Sequence, residues 1–194
     1  EKAETFHGAF PHWLDGETGK TIAFSTKDNG ADIVETALLV QGLLAVNEYF
    51  NQDNDVEKDI RAKIKTIWEK VEWDWFLNGT NTMMWHWSPD YAWEMDLPVR
   101  GWNEALIVYV LAASSPTHSI SKTAYDEGWA RNGGMKNGKK FHDITLPLGS
   151  DYGGPMFFAH YSFMGLDPRN LKDQYADYWE QNVAHAKINH AYCK

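Results

Sequence analysis

Apolar residues fall into two kinds of window along the chain, and the two kinds alternate. In the first, apolar positions run most of the way round a helical wheel. Residues 31–50 carry Ile33, Val34, Ala37, Leu38, Leu39, Val40, Leu43 and Leu44, and a helix apolar on most sides is a buried one. Residues 101–114 repeat the pattern from Ala105 through Ala113, and residues 155–164 repeat it with Met156, Phe157, Phe158, Ala159, Phe163 and Met164. Pro155 suits a first helical position and Gly165 an end. In the second kind the apolar positions keep to one face. Residues 55–72 place Val56, Ile60, Ile64, Ile67 and Val71 together, leave Glu57, Lys58, Arg61, Lys63 and Lys65 elsewhere, and follow Asp53 and Asn54 as cap candidates. Residues 119–131 and 171–192 read as amphipathic helices too. The pattern predicts an all-α fold of six helices, inner alternating with outer, arranged as three helical hairpins rather than a coiled coil.

The remaining stretches read as connections. Residues 1–26 are irregular, with turns at Asp15-Gly16 and Thr18-Gly19. Residues 73–100 form a long connection, and long ordered loops are usually functional. Residues 132–153 are rich in glycine, with a short strand pair predicted at 140–145. No internal repeat and no low-complexity segment interrupts the chain, and one domain accounts for all of 1–194.

Charge on the inner helices changes this picture. Asp28, Asp32 and Glu35 stand at i, i+4 and i+7, one stripe if the helix begins near Asp28. No Lys or Arg lies three or four residues from them in that stretch. Like charges on a buried helix repel and pay desolvation, so a sequence that keeps them is using them. Asp28 or Asn29 could instead be an N-cap and Asp32 a first-turn acid favoured by the helix dipole. Those roles leave Glu35 unexplained. Glu104 is the one acid of the apolar 101–114 window, in the setting Gly101-Trp102-Asn103-Glu104; a first-turn Glu is common, but its apolar surroundings single it out.

Composition narrows the chemistry. The formal net charge is −9, with no basic run, which excludes a phosphate-tracking nucleic-acid surface. The sole cysteine, Cys193, allows no disulfide within the chain and no cysteine-based zinc site. No apolar run is long enough to span a membrane, and no signal peptide opens the chain, which starts without Met. Trp 10, Tyr 9 and Phe 9 make up 14% of the chain. Aromatic faces stack on sugar rings and acids bind sugar hydroxyls, so Trp enrichment beside acids suggests a carbohydrate site, although a Trp-rich core accounts for several of these residues. Glycoside cleavage needs one carboxylic acid and one carboxylate, and Asp28, Asp32, Glu35 and Glu104 are the candidates. The histidines are scattered and show no H-E-x-x-H pattern; there is no nucleophile elbow, phosphate loop or calcium loop. The expectation is no metal and no cofactor.

Several strings carry a family resemblance. Phe6-His7-Gly8-Ala9-Phe10-Pro11-His12-Trp13, Lys27-Asp28-Asn29-Gly30-Ala31-Asp32 with Glu35-Thr36, Trp85-His86-Trp87-Ser88-Pro89, Gly101-Trp102-Asn103-Glu104, Ala112 through His118 and Gly153 through Ser162 resemble the glucoamylase-like proteins of Bacteroidetes, among them the endo-β-1,2-glucanases of glycoside hydrolase family 144. The resemblance spans nearly the whole chain. It implies an (α/α)6 barrel and an inverting hydrolase, with Asp28, Asp32, Glu35 and Glu104 matching the family's pocket acids and Glu104 the proton donor. It implies a glucan oligo- or polysaccharide as substrate, bound by Trp13, His12, Trp85, His86, Trp87, Trp102 and Asn103, and a periplasmic or extracellular location. An exo-acting glucosidase or disaccharide-releasing enzyme of the same fold, and a non-catalytic glucan-binding protein, stand as alternatives.

Length is the departure. A closed barrel of this kind has twelve helices, against six predicted here, so the chain is expected to be a partial (α/α)6 domain whose N- and C-terminal portions lie elsewhere. Large apolar side chains on 31–50, 101–114 and 155–164 should then be exposed, and the chain alone should self-associate.

Overall fold

A computed structural model describes residues 2–194. Its first long helix, α1 (Ile33–Tyr49), is started by Asp32. The Asp32 Oδ1 atom accepts the N–H groups of Val34 and Glu35, both at 3.0 Å, satisfying two of the donors that a helix start leaves unpaired. Asp28 therefore lies before the helix, in the turn that leads to it. The second helix, α2 (Asp55–Lys70), is capped by Asn54, which accepts the Glu57 N–H at 3.0 Å. These two helices form the first hairpin as expected, with Ile64 of α2 buried against the core.

The core is built round α3 (Leu106–Ser114). Leu106, Ile107, Val108, Tyr109, Leu111 and Ala112 are all buried there, beside Trp73, Phe76, Met83, Trp102 and Trp129. The Tyr109 hydroxyl is not stranded by burial: it donates to the Val99 carbonyl at 2.9 Å and accepts from the Met83 N–H at 3.0 Å. α3 begins five residues later than the apolar window. Residues 101–105 are turns, and Asn103 Oδ1 accepts the Ala105 N–H at 3.0 Å to start the helix.

The later windows depart further from expectation. Residues 119–131 hold one turn of α-helix, α4 (Lys122–Ala124), running into a π-turn at Tyr125–Trp129, followed by a 3-10 turn at Arg131–Gly133. Residues 155–164 are two 3-10 turns, Met156–Ala159 and Tyr161–Met164, separated at His160. Of 171–192 only the last 15 residues are helical, as α5 (Tyr178–Tyr192), capped by Asp177. The three expected hairpins thus reduce to one complete hairpin, α3 with its irregular cover, and α5.

Three short antiparallel ribbons tie the loops. β1 (Trp13–Leu14) pairs β2 (Thr21–Ile22), β3 (Ala31–Asp32) pairs β4 (His86–Trp87), and β5 (Lys140–Phe141) pairs β6 (Ile144–Thr145) within the predicted 140–145 pair. The middle ribbon matters most, because its register sets Asp32 opposite His86. It closes so tightly that a Cβ on Gly30 would lie 2.3 Å from the Trp87 carbonyl oxygen.

Exposure of apolar side chains follows the expectation in two windows and not in the third. Leu39 and Val46 of α1 are exposed, as are Phe157, Tyr161 and Met164, the last at 69%. α3 exposes no large apolar side chain, because α1 and the turns at Tyr125–Trp129 and Tyr161–Met164 cover it. No helix among the described residues is long and apolar enough to cross a membrane.

Candidate active site

The acids are assembled by backbone pairing rather than by a helical stripe. Asp32 ends β3, with its N–H bonded to the Phe10 carbonyl at 2.9 Å, while the next N–H, of Ile33, bonds the Trp85 carbonyl at 3.0 Å. Those bonds bring the 6–13 segment, the head of α1 and the 84–88 segment together. Asp28 sits in the turn before β3, its N–H bonded to the Ser25 carbonyl. Glu35 follows on the first turn of α1.

Two histidines meet these acids. His12 Nδ1 lies 2.9 Å from Asp32 Oδ2 and 3.8 Å from Asp28 Oδ2, and His86 Nε2 lies 3.3 Å from each. Asp28, Asp32 and His86 are buried; His12 is partly exposed. Burial opposes charge on His86, but the two aspartates outweigh it and push its pKa up to about 9. The hydrogen bond to Asp32 likewise raises His12. Burial would raise Asp32, yet hydrogen bonds from His12 and His86 and its contacts to the α1 N-terminus hold it below the usual carboxylate range. The His86 imidazolium therefore sits between the two buried aspartates.

The histidines look scattered along the chain with no metal site among them, and the structure corrects that expectation: one donor atom each from His12, Asp28, Asp32 and His86 lies within 4.8 Å of the others. This set could hold a divalent cation. The 3.3 Å separations about His86 suit the roughly 3.4 Å edge of a tetrahedral centre with ligands near 2.1 Å. The 2.9 Å contact between His12 and Asp32 is a hydrogen-bond distance, and the four groups balance one another's charge without an ion.

Glu35 and Glu104 behave differently. Burial raises Glu35, and the charges of Asp32, Glu104 and Asp28 add to the rise. Burial raises Glu104, and its Oε2 atom is buried without a partner. Neither carboxyl forms a salt bridge to Lys or Arg among the described residues. Glu104 is placed in the turn before α3, not on the helix. Buried Ser162, on the Tyr161–Met164 turn, donates to the Glu104 carbonyl oxygen and accepts the Ile107 N–H at 3.0 Å. Sequence reasoning missed Ser162 as a support, and no spacing in the sequence points to it.

The aromatic candidates separate into open and closed. Trp13 is half exposed. Trp85 lies along His86, with ring centroids 5.9 Å apart. Trp87 is half-buried in a cluster with Phe6, His7 and Trp75. Trp102 is buried in the core, with Tyr178 at 5.5 Å and Phe163 at 6.3 Å between ring centroids. His86 is buried against the aspartates, and the Asn103 amide is used locally, on Arg100 and Ala105.

The Glycoamylase family model matches residues 96–194, half of the chain. An exo β-1,2-glucooligosaccharide sophorohydrolase (non-reducing end) of Parabacteroides distasonis is 46% identical, across 100% of this chain and 30% of that protein. The endo-β-1,2-glucanase of Chitinophaga pinensis, solved with sophorotriose and glucose, superposes with a TM-score of 0.97 at 52% identity, covering 99% of this chain and 47% of that one. A β-1,2-glucanase structure from Parabacteroides distasonis gives 0.94 at 45% identity, covering 99% and 30%. The chain spans less than half the length of each.

Proposed function

This chain belongs to the Glycoamylase family, and from that premise we propose that it carries the acid group of a glucan hydrolase that cleaves β-1,2-linked glucan with inversion. In this reading α1, α2, α3 and α5 supply part of an (α/α)6 barrel, completed by portions of the protein outside residues 1–194. One observation carries it. Glu35 and Glu104 are both raised by burial, and Glu35 senses the charge of Glu104 as well as that of Asp32 and Asp28, the aspartates whose partners are histidines. A site that pushes its carboxyls in opposite directions can hold one as acid and another as carboxylate.

The roles follow from which oxygens are free. Asp32 spends Oδ1 on the α1 N-terminus and Oδ2 on His12 and His86, so it anchors. Asp28 is tied to the same imidazoles. Glu104, whose pKa burial raises, is the proton donor to the leaving glycosidic oxygen. As the bond to the anomeric carbon breaks, its electron pair stays on that oxygen and takes the Glu104 proton. Water adds to the opposite face and loses a proton to a carboxylate. Glu35, with no hydrogen bond to its carboxyl among the described residues, is the member of the group left to orient that water or a sugar hydroxyl.

The relatives divide between endo action and disaccharide release; we propose endo action, on the side of the more similar of the two. A non-catalytic binding protein would not need two carboxyls whose pKa burial raises. We infer a periplasmic or extracellular location for this reaction. Product analysis of the complete protein on purified glucans tests the reading. A ladder of β-1,2-linked oligosaccharides supports it, sophorose alone shifts it to exo action, and no hydrolysis of any β-1,2-glucan overturns it.

A further inference from the structure

The β1–β2 ribbon presents an apolar face on which Trp13, a sugar-binding candidate, has neighbours with no role so far. Trp13 stands directly opposite Ile22 in the register, so their side chains share a face of the ribbon, and Phe24, two residues on from Ile22, continues the same side. All three are exposed: Trp13 51%, Ile22 44% and Phe24 51%. Exposed apolar groups side by side call for a ligand or a cover.

Their attachment to the acids says which. Phe24 stacks on His12 with ring centroids 4.2 Å apart and planes 27° off parallel, and Trp13 meets the Phe24 ring edge-on at 4.9 Å. His12 is the residue that hydrogen-bonds Asp32. The backbone fixes the same relation, since the Phe24 N–H bonds the Asp28 carbonyl at 2.9 Å. One turn thus holds Asp28 and Phe24 together, and one imidazole sits between the Phe24 ring and Asp32. An apolar ring face beside carboxylates and an imidazole matches the two sides of a pyranose, C–H on its faces and hydroxyls on its rim.

We propose that Phe24, with Trp13, forms an aromatic subsite that binds one glucosyl residue of the glucan next to the acid group. The proposal rests on the glucan-hydrolase reading. Phe24 binds through its ring face and takes no part in proton transfer, so its loss removes binding common to ground and transition states.

The test is steady-state hydrolysis of a purified β-1,2-linked glucooligosaccharide by the complete protein, with Phe24 changed to Tyr, Leu and Ala. The subsite predicts KM unchanged in Phe24→Tyr, raised several-fold in Phe24→Leu and raised about tenfold in Phe24→Ala, as expected for loss of an aromatic contact area, with kcat held within about twofold. Thermal melts accompany each variant, and Phe24→Leu keeps apolar bulk should Phe24→Ala fold poorly. Unchanged KM in Phe24→Leu overturns the subsite and leaves the hydrolase reading standing. A fall in kcat and melting temperature without change in KM also overturns it, making Phe24 a prop for His12 or a surface covered by the rest of the protein. Absence of β-1,2-glucan hydrolysis by the unsubstituted protein is the separate failure of the reading beneath it.

Discussion

Ser162→Ala removes one oxygen atom and tests how the proton donor is held. Ser162 is 1% exposed, and its hydroxyl serves two backbone groups at once, the Glu104 carbonyl oxygen and the Ile107 N–H. Alanine fits the same space without overpacking, so the loss is one of hydrogen bonding. It strands a buried acceptor and a buried donor, each worth about 1–3 kcal/mol when left unpaired. Taking about 3 kcal/mol for the two together, a complete domain more than twice this length loses roughly 3–4 °C of melting temperature. The turn carrying Glu104 also loses its tie to the Tyr161–Met164 turn, so hydrolysis by the complete protein should fall through kcat. Urea unfolding and thermal melts of wild type and variant give the stability term; steady-state kinetics gives the other. A destabilisation under about 0.5 kcal/mol, the level of an ordinary surface change, with kcat unchanged, would refute the claim that Ser162 holds Glu104 in place.

Two further outcomes follow from the histidine–aspartate group. The His86 pKa is raised from 6.5 to about 9, so its contribution is complete below pH 6.5 and is lost as pH rises through about 9, a span worth about 3 kcal/mol; denaturation across pH 6 to 10 should show that loss in wild type and a flatter profile in His86→Gln, whereas parallel profiles would contradict it. Asp32 is held low, so its own contribution is lost on the acid side. Because imidazole charge balances the aspartates, dialysis against a strong chelator should leave the melting temperature unchanged, and a drop restored by added Zn2+ would show instead that a cation occupies the four donors.

What the sequence made legible depended on periodicity. α1 and α2 repeat apolar positions over more than three turns and are found where expected. The site acids were legible as acids out of place on apolar segments, but the reason they meet was not. Asp28 and Asp32 converge because a ribbon pairs Asp32 with His86, a register that the spacing from Asp28 to Glu35 does not contain. His12 and His86 looked scattered for the same reason. The 155–164 window misled because apolar composition does not separate a buried helix from two 3-10 turns; Phe157, Tyr161 and Met164 face outward there. Trp102 shows the opposite error. Its place beside Asn103 and Glu104 suggested a sugar platform, whereas the structure buries it beside Tyr178 and Phe163. Such contacts join residues about sixty to eighty positions apart, which no local pattern encodes.

The central claim is that Glu104 gives its proton to the leaving glycosidic oxygen. The most direct test is Glu104→Gln in the complete protein, read as hydrolysis and binding of the same purified β-1,2-glucan. Glutamine keeps the shape and supplies no acidic proton, so kcat should fall by a factor of roughly 10² to 10⁴, the usual contribution of a positioned general acid, while the dissociation constant for the glucan stays within a few-fold. Turnover at the wild-type rate in Glu104→Gln would remove Glu104 as the acid and contradict the account.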